Sequence, residues 1–113
     1  MMQTYNDGQL TLYRVRESAP YGRVREEDLV PVESYLRFAR RKTGMSRFWA
    51  GFAAGERIQR MVRIPLRRGR ETPANAVVRL SGDKAYYTVL QSQPDPEGGW
   101  EDLTLGVLDV DKG

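Results

Sequence analysis

Apolar and polar residues alternate with period two along three stretches of this chain, and that spacing predicts strands rather than helices. From Leu10 to Val15, Leu10 and Leu12 share one face. From Leu29 to Arg40, Val30, Val32, Leu36 and Phe38 have one parity and Glu33, Tyr35 and Arg37 the other. That segment is a half-buried strand, with Pro31 near its start or on a sheet edge. Arg57 to Pro65 sets Ile58, Val62 and Ile64 against Arg57, Gln59, Met61 and Arg63, leaving Arg60 as the odd member of the apolar face. Ala76 to Leu80 is a short strand and Ser81-Gly82-Asp83-Lys84 a tight turn. Two further β-rich runs, Lys84 to Leu90 and Trp100 to Leu105, flank Pro94-Asp95-Pro96-Glu97-Gly98-Gly99 and form a β-hairpin. Tyr86 and Tyr87 point to opposite faces, so only one is expected fully inside.

The period changes once. Ser46 to Gly55 reads as a short helix, with Ser46 as N-cap, Gly55 as stop, and Phe48 and Phe52 on one face. Residues 17–28, containing Pro20, Tyr21-Gly22 and Glu26-Glu27-Asp28, read as a surface loop, and Leu66 to Asn75 as a long basic loop. Residues 1–8 and 109–113 read as flexible. The whole is one mainly β domain over 1–113: a small β-barrel or sandwich of about six strands, with one short helix and a long basic loop.

Composition narrows the chemistry. The 113 residues include no Cys and no His, which excludes disulfides, thiolate nucleophiles, Ser-His-Asp triads and the common zinc sites. There is no Walker-type loop and no G-x-G-x-x-G. Asp95, Glu97, Glu101 and Asp102 cluster without a nucleophilic or basic partner and read as a solvated turn. The chain is therefore read as a non-enzyme with no cofactor and no metal. No run of about 18 apolar residues occurs, so no membrane association is expected.

Charge is unevenly placed. Residues 1–84 carry 17 Lys and Arg against 9 Asp and Glu, whereas residues 85–113 carry 1 against 6. A subunit with one basic and one acidic face fits that distribution. Arg67, Arg68 and Arg70 make the strongest candidate site, suited either to phosphates or to carboxylates of a neighbour, with a solvated loop as the plain alternative. Arg40, Arg41 and Lys42 form a second basic cluster, whose plain reading is a charged strand end that blocks edge pairing. Phe48 and Phe52 read as core, while Trp49 and Trp100 are candidate interface aromatics.

The order of these features resembles the head–tail joining proteins of tailed bacteriophages, also called head closure or stopper proteins. Ser46-Arg47-Phe48-Trp49-Ala50 through Ala54-Gly55 matches their short helix, and Arg57 to Pro65 the strand after it. Tyr87-Thr88-Val89 and Leu103-Thr104-Leu105 match their C-terminal hairpin, and Tyr21-Gly22 a loop before their second strand. The arginine-rich 66–75 segment departs from the pattern. The resemblance implies a small β-barrel that forms a homo-oligomeric ring in the virion neck after assembly in the host cytoplasm. It also implies contact with the portal or adaptor on one side and with a tail terminator or tail tube protein on the other. The basic loop then either faces packaged DNA or pairs with an acidic neighbour. Two other readings stand beside this one: a tail terminator, and a nucleic-acid-binding β-barrel that stacks bases on Trp49 or Tyr86.

Overall fold

The computed structural model describes residues 3–16, 24–41, 60–67, 69–70, 72–73 and 75–111. Nine strands are formed among them: β1 (Gln9–Val15), β2 (Val24–Arg25), β3 (Leu29–Arg37), β4 (Ala39–Arg41), β5 (Arg60–Pro65), β6 (Val77–Leu80), β7 (Tyr86–Asp95), β8 (Trp100–Leu108) and β9 (Val110–Asp111). Seven make one antiparallel sheet in the order β3-β1-β6-β7-β8-β5-β4. Its two edge strands, β3 and β4, are consecutive in the chain and separated only by Phe38, so the sheet curls round on itself into a barrel-like form. Six expected strands thus became this sheet, with the segment expected over Leu29 to Arg40 serving both edges.

Phe38 is fully buried where the edges meet. Its N–H donates to Gly8 O at 3.1 Å, and its carbonyl accepts from Asp7 N at 3.0 Å. Gly8 has a φ of +136°, and a Cβ there would lie 2.7 Å from Ser81 Oγ and 3.1 Å from the Phe38 ring. Only glycine lets the chain pass so close at that backbone angle.

The expected inner positions of β1 and β5 are buried, while on β5, β6 and β8 outer positions such as Met61, Arg63, Val77 and Thr104 are buried as well. Leu10, Leu12, Val62, Ile64, Val78, Leu80, Leu103 and Leu105 face inward and form the core with Phe38 and Tyr87. Each such side chain contributes about 1.5–3 kcal/mol by leaving water.

β3 departs from the expected alternation. Its register with β1 shifts twice, between Leu12↔Glu33 and Leu10↔Leu36 and again before Tyr13↔Pro31. The first bulge reverses the parity and the second restores it, so the reversal is confined to the stretch around Glu33 while Leu36 still packs against the core. Glu33 shares a face with buried Leu12, while Val32 is 46% exposed and Tyr35, with φ +61°, is 80% exposed. The hairpin is also longer than expected. β7 continues through Pro94, because β6 covers β7 only as far as Thr88 and Val89. Beyond that point one side of β7 is an open edge, where a missing proline N–H breaks no ladder.

Both Tyr86 and Tyr87 are 4% exposed, against the expectation that only one is inside. The outer face of the sheet is covered at Tyr86 by the edge of Tyr13, 6.0 Å between ring centroids, and by Glu26, which accepts from Tyr86 Oη at 2.9 Å. Glu26 belongs to a 3₁₀ turn over Glu26–Asp28 inside the segment read as surface loop, and Asp28 is buried there. At the termini, residues expected to be flexible are bonded to the body: Asp7 to Phe38, and β9 in a parallel pair with β2. The helix expected over 46–55 lies outside the described residues.

Candidate functional site

The basic loop begins where Pro65 ends β5. Leu66 N donates to Gly99 O at 3.0 Å, tying the loop to the hairpin turn. Gly69, with φ +74°, then bends the chain so that Arg70 N donates to Arg67 O at 3.3 Å. This bend sends Arg67 inward. Its Nη1 donates to Glu33 Oε1, carried inward by the β3 bulge, and its Nη2 lies 3.4 Å from Glu101 Oε1 and 3.1 Å from Thr72 Oγ1. Thr72 Oγ1 donates to Glu101 Oε2 at 2.6 Å, and Ser92 Oγ donates to the same oxygen. The side chain of Arg67 is 10% exposed, that of Glu33 14% and that of Glu101 6%. Arg67 Nε is buried without a hydrogen-bond partner among the described residues. Arg70 stays in solvent, with Nη1 3.6 Å from Glu33 Oε2. An open cleft of about 690 Å³ lies beside this cluster, between the loop and the hairpin.

Of the candidate loop arginines, the structure commits Arg67 to the interior and leaves Arg70 accessible; Arg68 lies outside the described residues. The signal for Arg67 was hidden. Its partner Glu33 sat on the nominally polar parity of β3, and only the bulge brings it inside.

A second cluster lies on the outer face. Arg63 grips Asp102 with both ends of its fork, Nε to Oδ1 at 2.7 Å and Nη2 to Oδ2 at 3.0 Å. Its Nη1 donates to Gln3 Oε1 at 3.1 Å, and its guanidinium lies 3.9 Å from the Trp100 ring centroid. Trp100 is therefore already stacked on its own chain, and Trp49 lies outside the described residues. Burial raises the pKa of the nearby Tyr5 phenol, with Arg63 opposing. Together Arg63–Asp102 and Arg67–Glu101 cancel, inside the fold, part of the charge imbalance seen along the sequence.

The opposite end of the barrel is where β6 turns into β7. Arg60, the odd residue on the apolar face of β5, donates from Nε to Tyr87 Oη at 3.1 Å. Tyr87 Oη donates in turn to Asp83 Oδ2 at 2.6 Å. That bond, then the one from Ala85 N, holds the Asp83 carboxyl below its ordinary pKa of 3.8, with the Arg60 and Arg40 charges adding to them and burial opposing. On β4, Arg40 N donates to Asp7 Oδ2 at 2.7 Å, while the Arg40 and Arg41 side chains are exposed on this edge strand. Lys42 lies outside the described residues. The same end carries an open groove of about 480 Å³ bordered by Thr11, Tyr13, Tyr35, Arg79 and Lys84. The sequence reading placed nothing at Tyr35, because regular alternation made it one more outward residue.

Chemically, these clusters are fixed rather than reactive. Their carboxylates accept from guanidinium, hydroxyl or main-chain donors, an arrangement that clamps segments together. Among the described residues no group of acidic side chains is placed to hold a metal ion, and no helix is long and apolar enough to cross a membrane. Compared with known family models, curated proteins and solved structures, the chain matches none.

Proposed function

We propose that this chain is a structural protein of the tailed-phage neck, a head closure subunit whose ring shuts the DNA-filled head and receives the tail. The observation that carries this reading is the polarity of the barrel. The exposed arginines Arg40, Arg41 and Arg79 lie toward the end where β6 meets β7, beside Asp7 and Asp83, whose carboxylates accept hydrogen bonds within the chain. Asp95 and Glu97 stand on the hairpin tip at the other end, across a cleft from Arg70. A subunit joining two different neighbours needs two unlike ends, whereas a catalyst needs convergent groups around one cleft. The clamped interior suits a part under mechanical stress: the Arg67 and Arg63 clusters fasten the loop, the hairpin and the N-terminal segment to one sheet.

On this reading the partners are the portal or adaptor on one side and a tail terminator or tail tube protein on the other. Arg70, unlike Arg67, is exposed and available to packaged DNA or to an acidic neighbour. The nucleic-acid-binding alternative loses one of its stacking candidates, since Tyr86 is buried. Gold-labelled antibody against the chain, applied to purified virions, is expected to mark the head–tail junction. Absence of the chain from the virions, or label spread along the tail, contradicts the proposal.

A further inference from the structure

Tyr35, a strained and exposed aromatic, and Glu97, on the acidic prong at the far end of the hairpin, both present their side chains to solvent. Tyr35 sits in a β-bulge, in the left-handed backbone region that a bulky side chain avoids, with its ring 80% in solvent. The bulge aims this ring at the border of the groove that Tyr13, Thr11 and Arg79 also line. Arg79 is exposed, 5.4 Å from the Tyr86 ring centroid, and makes no ion pair among the described residues. Asp83, which also borders the groove, has its carboxylate taken up by Tyr87 and Ala85. The groove is thus aromatic and carries positive charge.

The prong is its complement. Pro94-Asp95-Pro96-Glu97 forms the hairpin tip, and neither carboxylate makes an ion pair among the described residues. The tip is stiff: Asp95 Oδ1 accepts from Glu97 N at 3.1 Å and Gly98 N at 3.0 Å, and Asp95 O accepts from Gly99 N at 2.8 Å. A preformed tip loses little freedom on docking, and proline-containing segments fit aromatic-lined grooves.

We propose that the Pro94–Glu97 tip of one copy seats in the Tyr35 groove of the next, with Glu97 facing Arg79 and the prolines against the tyrosine rings. Groove and tip lie at opposite ends of β7, roughly 30 Å apart at the rise of a strand. The tip therefore reaches only another copy's groove. Such a contact is head-to-tail, and it closes into a ring when the rotation between copies permits. The proposal rests on the ring reading above and assigns the surfaces that make the ring.

The test uses the absence of native cysteine. Thr11→Cys with Pro96→Cys, which keeps Tyr35, Arg79 and Glu97 and is placed in the phage copy of the gene, is expected to give a ladder of disulfide-linked oligomers from oxidised virions. Neither single variant gives more than a dimer. In the double-cysteine background Arg79→Glu is expected to lose the ladder, and adding Glu97→Lys to restore it. Joined virions that contain the double variant but yield no ladder overturn the interface and leave the neck reading intact. A ladder from concentrated purified protein, with the chain missing from virions, supports the interface and overturns the neck reading.

Discussion

At the scale of single residues, one guanidinium decides how the basic loop is held. Arg67 answers two carboxylates, Glu33 and Glu101, both largely out of water. Removing the cation leaves Glu101 without a cationic partner and Glu33 with only the solvent-exposed Arg70, so Arg67→Met is expected to lower the unfolding free energy by about 3 kcal/mol. Neutralising the partners as well, with Glu33→Gln and Glu101→Gln, is expected to recover part of that loss. Urea titration measures both; a single variant indistinguishable from the native chain contradicts the account of the cluster. Asp83 gives a pH-dependent counterpart. Its carboxyl is held below 3.8 chiefly by the Tyr87 hydroxyl, so the charged form stabilises the fold above that pH. The contribution is lost as pH falls through the depressed value. Tyr87→Phe is expected to move the Asp83 titration, followed by carboxyl NMR, upward toward 3.8. The stability gap between the two proteins should then shrink in acid.

At the scale of elements, the strands were legible and their irregularities were not. Period-two alternation located three stretches of the main sheet, and turn residues flanked by β-rich runs located the other three. Alternation failed on β3, where two bulges turned Glu33 inward and Val32 outward, since a bulge changes parity without changing composition. Taking Pro94 as the turn stopped β7 too early. Two variants address these elements. Tyr35→Gly relieves a left-handed backbone angle but loosens the unfolded chain, two effects of about 1 kcal/mol that oppose each other. Its thermal midpoint is expected to stay near that of the native chain while incorporation into virions falls. Gly98→Ala places a Cβ 2.5 Å from the Trp100 ring and must push it off Arg63. In a Trp49→Phe background its fluorescence is expected to report a changed Trp100 environment; an unchanged spectrum contradicts the packing of the tip.

At the scale of the whole molecule, the sequence showed charge but not where charge goes. The excess of arginine before residue 84 and of carboxylates after it suggested two faces. In the structure Arg63 and Arg67 are paired with Asp102 and Glu101, which leaves Arg40, Arg41 and Arg79 exposed toward the β6–β7 end and Glu97 exposed on the hairpin tip. Arg67 and Arg70, neighbours in one basic run, have opposite fates for the same reason: contacts distant in sequence decide them. A ring formed away from its template wastes subunits, so the pure chain is expected to sediment in dilute solution as a monomer of 12.9 kDa. A stable closed ring under those conditions contradicts assembly on a template. The most direct test of the central claim is electron microscopy of lysates from a phage carrying a stop codon in this gene. The account predicts free tails beside tailless heads that have lost their DNA; normally joined virions contradict it.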